Sequence, residues 1–252
     1  SCIYDWPEAA NLFISEYAEG SSNNKYLEIF NATDGDVDLS GYSLSSCSNG
    51  CDDGISFDYP DNVEFEAGTI VTSGDVYVVC HGSADDLIQA ECDQTFTYLS
   101  NGDDVFALTQ IGSGAILDII GTIGDDPGSG WEVAGVSNGT KDHTLVRKSS
   151  VGSGNGGNWE ISAGTDADNS EWGVYDQNTW DYLGSHTIDS DDECTAGDVN
   201  GDGVVNVLDI VQLVGYIIAE DVSGLDCADI NGDGTVNVSD ILLAVAAWGP
   251  CP

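Results

Sequence analysis

Residues 198–210 read DVNGDGVVNVLDI, and residues 229–241 read DINGDGTVNVSDI: the same phrase displaced by 31 positions, with ten of thirteen residues identical. A duplication of that fidelity marks one structural unit used twice. Each copy opens with Asp and Asn alternating with Gly, residues that favour turns and tolerate left-handed backbone. Each then passes into apolar residues at helical spacing, which predicts helices from about Val207 to Ala219 and from Val238 to Trp248. Neither helix can bury its apolar side alone, so the two are expected to pack on each other.

The loop pattern, Asp-x-Asn-x-Asp-Gly with an acid at position twelve, is that of an EF-type calcium loop. Ca²⁺ is a hard cation that takes about six to eight oxygens, and this spacing wraps such a set around one ion. In the first loop the expected ligands are Asp198, Asn200, Asp202 and Asp209, the backbone carbonyl of Val204, and Asn206 directly or through water. In the second they are Asp229, Asn231, Asp233, Asp240, the carbonyl of Thr235, and Asn237. Gly203 and Gly234 supply the sharp turns, and Val205 and Val236 are expected to pair as a short β-bridge. Asp-Asn-Gly clusters also serve as plain surface turns, but two matched copies, each leading into an apolar helix, favour two Ca²⁺ ions. Folding of this part is then expected to depend on the metal.

The charge balance agrees. Forty-five acids face Lys25, Lys141, Arg147 and Lys148, a formal charge of −41, and all four bases precede residue 149. Such a chain repels phosphate backbones, which excludes nucleic acid, and disfavours anionic membranes. Divalent cations relieve the self-repulsion, as would a saline setting. No apolar run reaches the ~20 residues of a membrane span. Methionine is absent, and a removed secretory signal is the simplest expectation for the amino end. Eight cysteines suit export, since disulfides persist outside the cell. Cys47 with Cys51 and Cys80 with Cys92 are the local pairs expected; Cys2, Cys194, Cys227 and Cys251 leave three connectivities open.

Residues 12–188 read as all-β. Short β-branched and aromatic runs (Leu12–Tyr17, Tyr26–Phe30, Val76–Cys80, Val105–Leu108, Leu117–Ile120 and Thr144–Arg147) alternate with Gly, Asn, Asp and Ser clusters. That rhythm argues for a sandwich or barrel. The expected organisation is an amino-terminal arm (1–11), the β region (12–188), an acidic linker (189–195) and the duplicated module (196–252).

Two resemblances sharpen this. Ile14-Ser15-Glu16-Tyr17, Tyr26-Leu27-Glu28-Ile29-Phe30-Asn31 and above all Asp38-Leu39-Ser40-Gly41-Tyr42-Ser43-Leu44 resemble the lamin tail domain, followed in order by Gly74–Cys80, Leu99–Leu108 and Leu145–Lys148 with Trp159. That family implies an immunoglobulin-like sandwich serving as an accessory module. Residues 194–252, with loops ending in Asp209 and Asp240 and no helix leading in, resemble a type I dockerin, whose usual task is to plug into a cohesin on a scaffold protein. Cohesin contacts in that family use Ser or Thr at loop positions ten and eleven and later basic residues. This chain has Val207-Leu208 and Val238-Ser239 there and no base in the module. An apolar set of Leu208, Val211, Leu213, Val214, Ile217 and Trp248 is expected to serve the core or a different partner.

Catalytic motifs are missing. His81, His143 and His186 are scattered, and no nucleophile elbow, zincin helix or phosphate loop occurs. Acid pairs such as Asp52-Asp53, Asp103-Asp104 and Asp125-Asp126 read as turns, with extra Ca²⁺ between molecules the alternative. Trp159, Trp172 and Trp180 are the candidates for a glycan platform, against core packing as the favoured role. Asn31 and Asn138 begin glycosylation sequons. The expected function is therefore that of a secreted, non-enzymatic, calcium-binding structural or adhesion protein. Its expected partners are copies of itself, in a fibre or surface layer. The alternative is a dockerin-bearing accessory subunit of a polysaccharide-degrading complex, with a cohesin-like protein as partner.

Overall fold

The computed structural model describes residues 11–124, 126–189, 197–199, 205–219, 228–231 and 235–247. Contacts divide the chain into two compact units, one up to Asp189 and one from residue 190 onward. The amino-terminal arm up to residue 10 and linker residues 190–195 lie outside the described residues, as do Cys2, Cys194, Cys227, Cys251 and Trp248.

The first unit is mostly β-sheet and immunoglobulin-like. In chain order it runs β1 (Leu12–Glu19), β2 (Lys25–Asn31), β3 (Val37–Asp38), β4 (Tyr42–Cys47), β5 (Tyr59–Glu64), β6 (Ile70–Val71) and β7 (Val76–Cys80). There follow α1 (Asp86–Glu91), β8 (Gln94–Thr95), β9 (Val105–Gln110), β10 (Ile116–Ile120), β11 (His143–Arg147), α2 (Trp159–Ala163) and β12 (Trp172–Asp176). One sheet has the order β12-β11-β1-β2-β7-β8 and another the order β10-β9-β4-β5, with β3 and β6 paired separately. All pairs but β7–β8 are antiparallel. Every strand run expected from the sequence is present, several extended by a residue or two.

The Asp38–Leu44 run turns the chain between strands as expected. The Asp38 carboxylate accepts from the Ser40 amide at 2.9 Å, holding a single 3₁₀ turn, and Leu39 is driven into the core. Leu12, Ile14, Tyr17, Leu27 and Ile29 meet Leu44, Phe106, Leu108 and Ile119 between the sheets. Trp159 and Trp172 are buried in that core with ring centroids 6.2 Å apart, which makes them packing residues and removes them from any glycan platform. Disulfides join Cys47 to Cys51 and Cys80 to Cys92, the two local pairs.

All eight residues of β1 are buried, Ser15, Glu16 and Glu19 included. A strand that faces water on one side alternates; one that does not must be covered on both faces. Here the second cover is a smaller cluster of Ala18, Tyr26, Val78, Cys80, Ala84 and Ile88, closed by Trp180 and Leu183 from the segment after β12. A bulge between Ile14 and Glu16 swings the glutamate onto this outer face.

A polar bolt fastens the sheets. Arg147 on β11 is buried and pairs with Asp118 on β10 and with Glu171 at 2.6 Å. It donates to Ser162 Oγ at 2.8 Å and to the Ile14 carbonyl at 3.2 Å, and its guanidinium lies 4.0 Å over the Trp172 ring. The Asp118 carboxylate also accepts from the amides of Ile14 at 2.9 Å and Asn155 at 3.0 Å. Such saturation lets an ion pair sit inside a core.

The sequon at Asn31 is closed. Its side chain is buried, donating to the carbonyls of Gly35 and Val71 and accepting from Thr33, so the folded chain offers no nitrogen for a glycan there. Asn138 is exposed in a turn.

Candidate metal centre

The second unit contains α3 (Val207–Ala219) and α4 (Val238–Ala247). Leu213 and Ala244 are buried with Val199 and Ala228, and Ile210, Ile217, Val236 and Ile241 pack around them. The apolar set expected on the first helix therefore divides: Leu213 is core and Ile217 packs on it, while Leu208 and Val211 are exposed. Val207, Ile218, Val238, Leu242, Leu243 and Val245 are exposed as well. Among the described residues no backbone bridge joins Val205 and Val236; Val236 spends its side chain on the helical core instead.

The two helix starts are built alike. Asn206 Oδ1 accepts from the Leu208 amide at 2.8 Å, and Asn237 Oδ1 accepts from the Ser239 amide at 2.8 Å. In return Asp209 Oδ2 accepts from the Asn206 amide at 2.7 Å, and Asp240 Oδ2 from the Asn237 amide at 2.8 Å. This is a reciprocal capping box with Asn at the cap and Asp three residues on, and it also places each carboxylate at the positive end of a helix.

Capping accounts for one carboxylate oxygen. The other ties the beginning of the loop to its end: Asp209 Oδ1 accepts from the Val199 amide at 3.0 Å, and Asp240 Oδ1 from the Asn231 amide at 3.3 Å. Asp209 and Asp240 are fully buried, and Asp198 is 7% exposed. Asn237 Nδ2 donates to the Thr235 carbonyl at 2.9 Å, which brings positions seven and nine of the second loop together.

Of the expected ligands, Asp198, Asn206, Asp209, Asp229, Asn231, Thr235, Asn237 and Asp240 are thus located; Asn200, Asp202, Val204 and Asp233 lie outside the described residues. Among the described residues no three acids, histidines or cysteines converge on one point, and the central acid of each loop is one of those outside. The residues present fit a hard cation. Buried carboxylates in a segment without Lys or Arg call for positive charge from outside the chain, and the donor set is all oxygen.

The histidines do not form a site. His81 Nδ1 accepts from the Ser83 amide, His143 lies against the Lys141 carbonyl, and His186 stands edge-on to Phe13 and Phe30. What sequence reasoning missed is the buried pair Glu16 and Glu28, which face each other across β1 and β2. Isolated acids in strand patterns gave only a faint signal for this.

Comparison with known proteins agrees with the two-part reading. The Lamin Tail Domain family model matches residues 7–124, and the Dockerin type I domain model matches residues 196–245. No curated protein matches the chain. Among solved structures, a DUF4876 family protein from Bacteroides thetaiotaomicron VPI-5482 is similar over 68% of each chain, at 11% identity and a TM-score of 0.40. Lamin tail and dockerin domains are non-catalytic modules, and type I dockerin domains bind Ca²⁺ and cohesins. Among the described residues no helix is long and apolar enough to cross a membrane. The chain carries a lamin tail domain followed by a type I dockerin domain.

Proposed function

We propose that this chain is an extracellular, calcium-dependent accessory module whose C-terminal unit docks on a cohesin-like protein and thereby delivers the β-sandwich. One Ca²⁺ is held by Asp198, Asn200, Asp202, the Val204 carbonyl, Asn206 and Asp209. A second is held by Asp229, Asn231, Asp233, the Thr235 carbonyl, Asn237 and Asp240. The sandwich spans 12–188, a short acidic linker follows, and the module occupies 196–252. The observation that supports this most is the pair of buried aspartates, Asp209 and Asp240, each accepting from its helix cap in matching geometry and from an amide near the start of its loop, Val199 in one copy and Asn231 in the other.

Calorimetric titration of the full chain against a panel of type I cohesin domains tests the reading, in Ca²⁺ and then in EGTA. Saturable one-to-one binding that disappears in EGTA is expected. Silence against every cohesin, while the helices remain folded in Ca²⁺, would overturn it. A second reading, association of copies into an extracellular fibre, is favoured by the exposed apolar side chains of α3 and α4, which suit a protein partner. Calcium-dependent filaments in negative-stain micrographs would select it over cohesin docking.

A further inference from the structure

The outer face of the six-stranded sheet holds the most unusual chemistry in the first unit. Glu16 and Glu28 stand directly opposite each other on β1 and β2, flanked by Val146 and Val78 on the neighbouring strands. Both are buried, Glu16 at 1% and Glu28 at 0% exposure. What covers them is the segment after β12. Trp180 and Leu183 close the small outer cluster, Tyr182 packs on Tyr175 at 4.9 Å, and His186 inserts beside Phe13 and Phe30 at 5.8 and 4.9 Å.

This cover is pinned at its ends and poorly bonded in between. Asn178 accepts from the Ser21 amide at 2.9 Å, and the Asp189 amide donates to the Ser149 carbonyl at 2.6 Å. Between them the Gly184 amide donates to Glu28 Oε2 at 2.7 Å. Among the described residues, the buried side-chain polar atoms that lack a hydrogen-bond partner are Glu16 Oε1, Thr144 Oγ1, Trp180 Nε1 and His186 Nε2. Thr144 lies beside Ala18 on the same outer face, so all four belong to this one interface. Buried polar atoms are normally partnered, and their concentration under one segment marks a closure made at a polar cost.

We propose that residues 180–186 are a pH-operated strap: it lies tightly on the sheet while the facing carboxylates of Glu16 and Glu28 retain protons, and it loosens as both become charged. The hydrogen bonds say which acid is which. Glu28 accepts from Ser15 Oγ at 2.7 Å and from Gly184, so its charge has donors; Glu16 accepts from Tyr26 at 2.8 Å through one oxygen alone. Glu16 is therefore the acid that keeps its proton longer.

Burial, then the neighbouring Glu28, pushes Glu16 up to about 8, against the Tyr26 hydrogen bond, which lowers it. Burial likewise raises Glu28 to about 7, with Ser15 and Gly184 opposing and the more distant Glu91 and Asp75 adding to the rise. The other groups facing the pair do not take over the role. Tyr26 and Tyr175 are pushed further up, and His186 is held down to about 4 by burial and by Arg147, so it is neutral near pH 7. Both acids sit above their open-state values. At the two acids the closed form thus binds more protons, so their contribution to closure weakens as pH rises through 7 to 8, while His186, protonated more readily in the open form below about 6.5, opposes closure only on the acid side.

Hydrogen exchange of the full chain tests this, with protection of residues 180–186 corrected for intrinsic rates between pH 6 and 8.5. One linked proton changes the opening equilibrium about tenfold per pH unit, so strap protection is expected to fall at least about tenfold while the β1 amides hold. Glu16→Gln, which keeps the shape and cannot ionise, should flatten most of that fall. Tyr26→Phe removes the donor to Glu16 and should move the midpoint upward, which keeps the test decisive if the first variant folds poorly. Protection that is constant from pH 6 to 8.5 in the native chain, or the same fall in Glu16→Gln or an unmoved midpoint in Tyr26→Phe, would overturn the strap.

Discussion

Removing Asp118 should be the most damaging single side-chain truncation in the sandwich. Asp118→Ala leaves the Arg147 guanidinium buried with Glu171, Ser162 and the Ile14 carbonyl as its remaining partners. Breaking a buried ion pair by deleting one member costs about 3–5 kcal/mol. Because Glu171 stays, the lower value of about 3 kcal/mol applies, but the amides of Ile14 and Asn155 lose their acceptor too. Each stranded amide adds about 1 kcal/mol or more, for a total near 5 kcal/mol. For a unit of this size that corresponds to a fall in melting temperature of roughly 10–20 °C. Arg147→Met should cost less, about 3 kcal/mol by the same rule, since the Asp118 carboxylate keeps its backbone donors. Differential scanning calorimetry at constant Ca²⁺ reads both, taking the transition that EGTA leaves in place. A loss under about 1 kcal/mol for Asp118→Ala, or a larger loss for Arg147→Met, would refute the reasoning, because neither fits a saturated buried carboxylate.

Chelation should act on the other unit. With EGTA, or in Asp209→Ala or Asp240→Ala, the far-ultraviolet helical signal should fall, since a site at a hundredfold its Kd in Ca²⁺ contributes about 2.7 kcal/mol; a signal indifferent to Ca²⁺ would count against metal-coupled folding. His186→Phe should flatten the acid limb of stability. The native histidine is held down to about 4 against 6.5 when free, so its contribution is complete above 6.5 and lost as pH falls toward 4; urea midpoints at pH 5 and 7 check it. Replacing Cys80 and Cys92 by Ala opens a loop with a sequence separation of 12 and should cost about 3 kcal/mol in a denaturant titration.

The legible parts of this protein are those where neighbours in sequence settle the matter. The strand runs, the Asp38 turn and the two local disulfides all act over at most a dozen residues. Turn chemistry and alternation therefore place the strands, and the repeat places the candidate metal loops. The two short helices α1 and α2 were not anticipated, being too brief to show a period.

Burial on the second face of a sheet is a different kind of fact. Nothing near Glu16 or Glu28 announces that residues 180–186, more than 150 positions away from either, will fold over them. Likewise Arg147 and Asp118 look like two ordinary surface charges until β10 and β11 bring them together between the sheets. The sequence by itself determined the module order and the strands, because local sterics and turn chemistry act at short range. Only the tertiary structure decided which charges are buried and what covers them, because desolvation depends on neighbours that the chain brings in from afar.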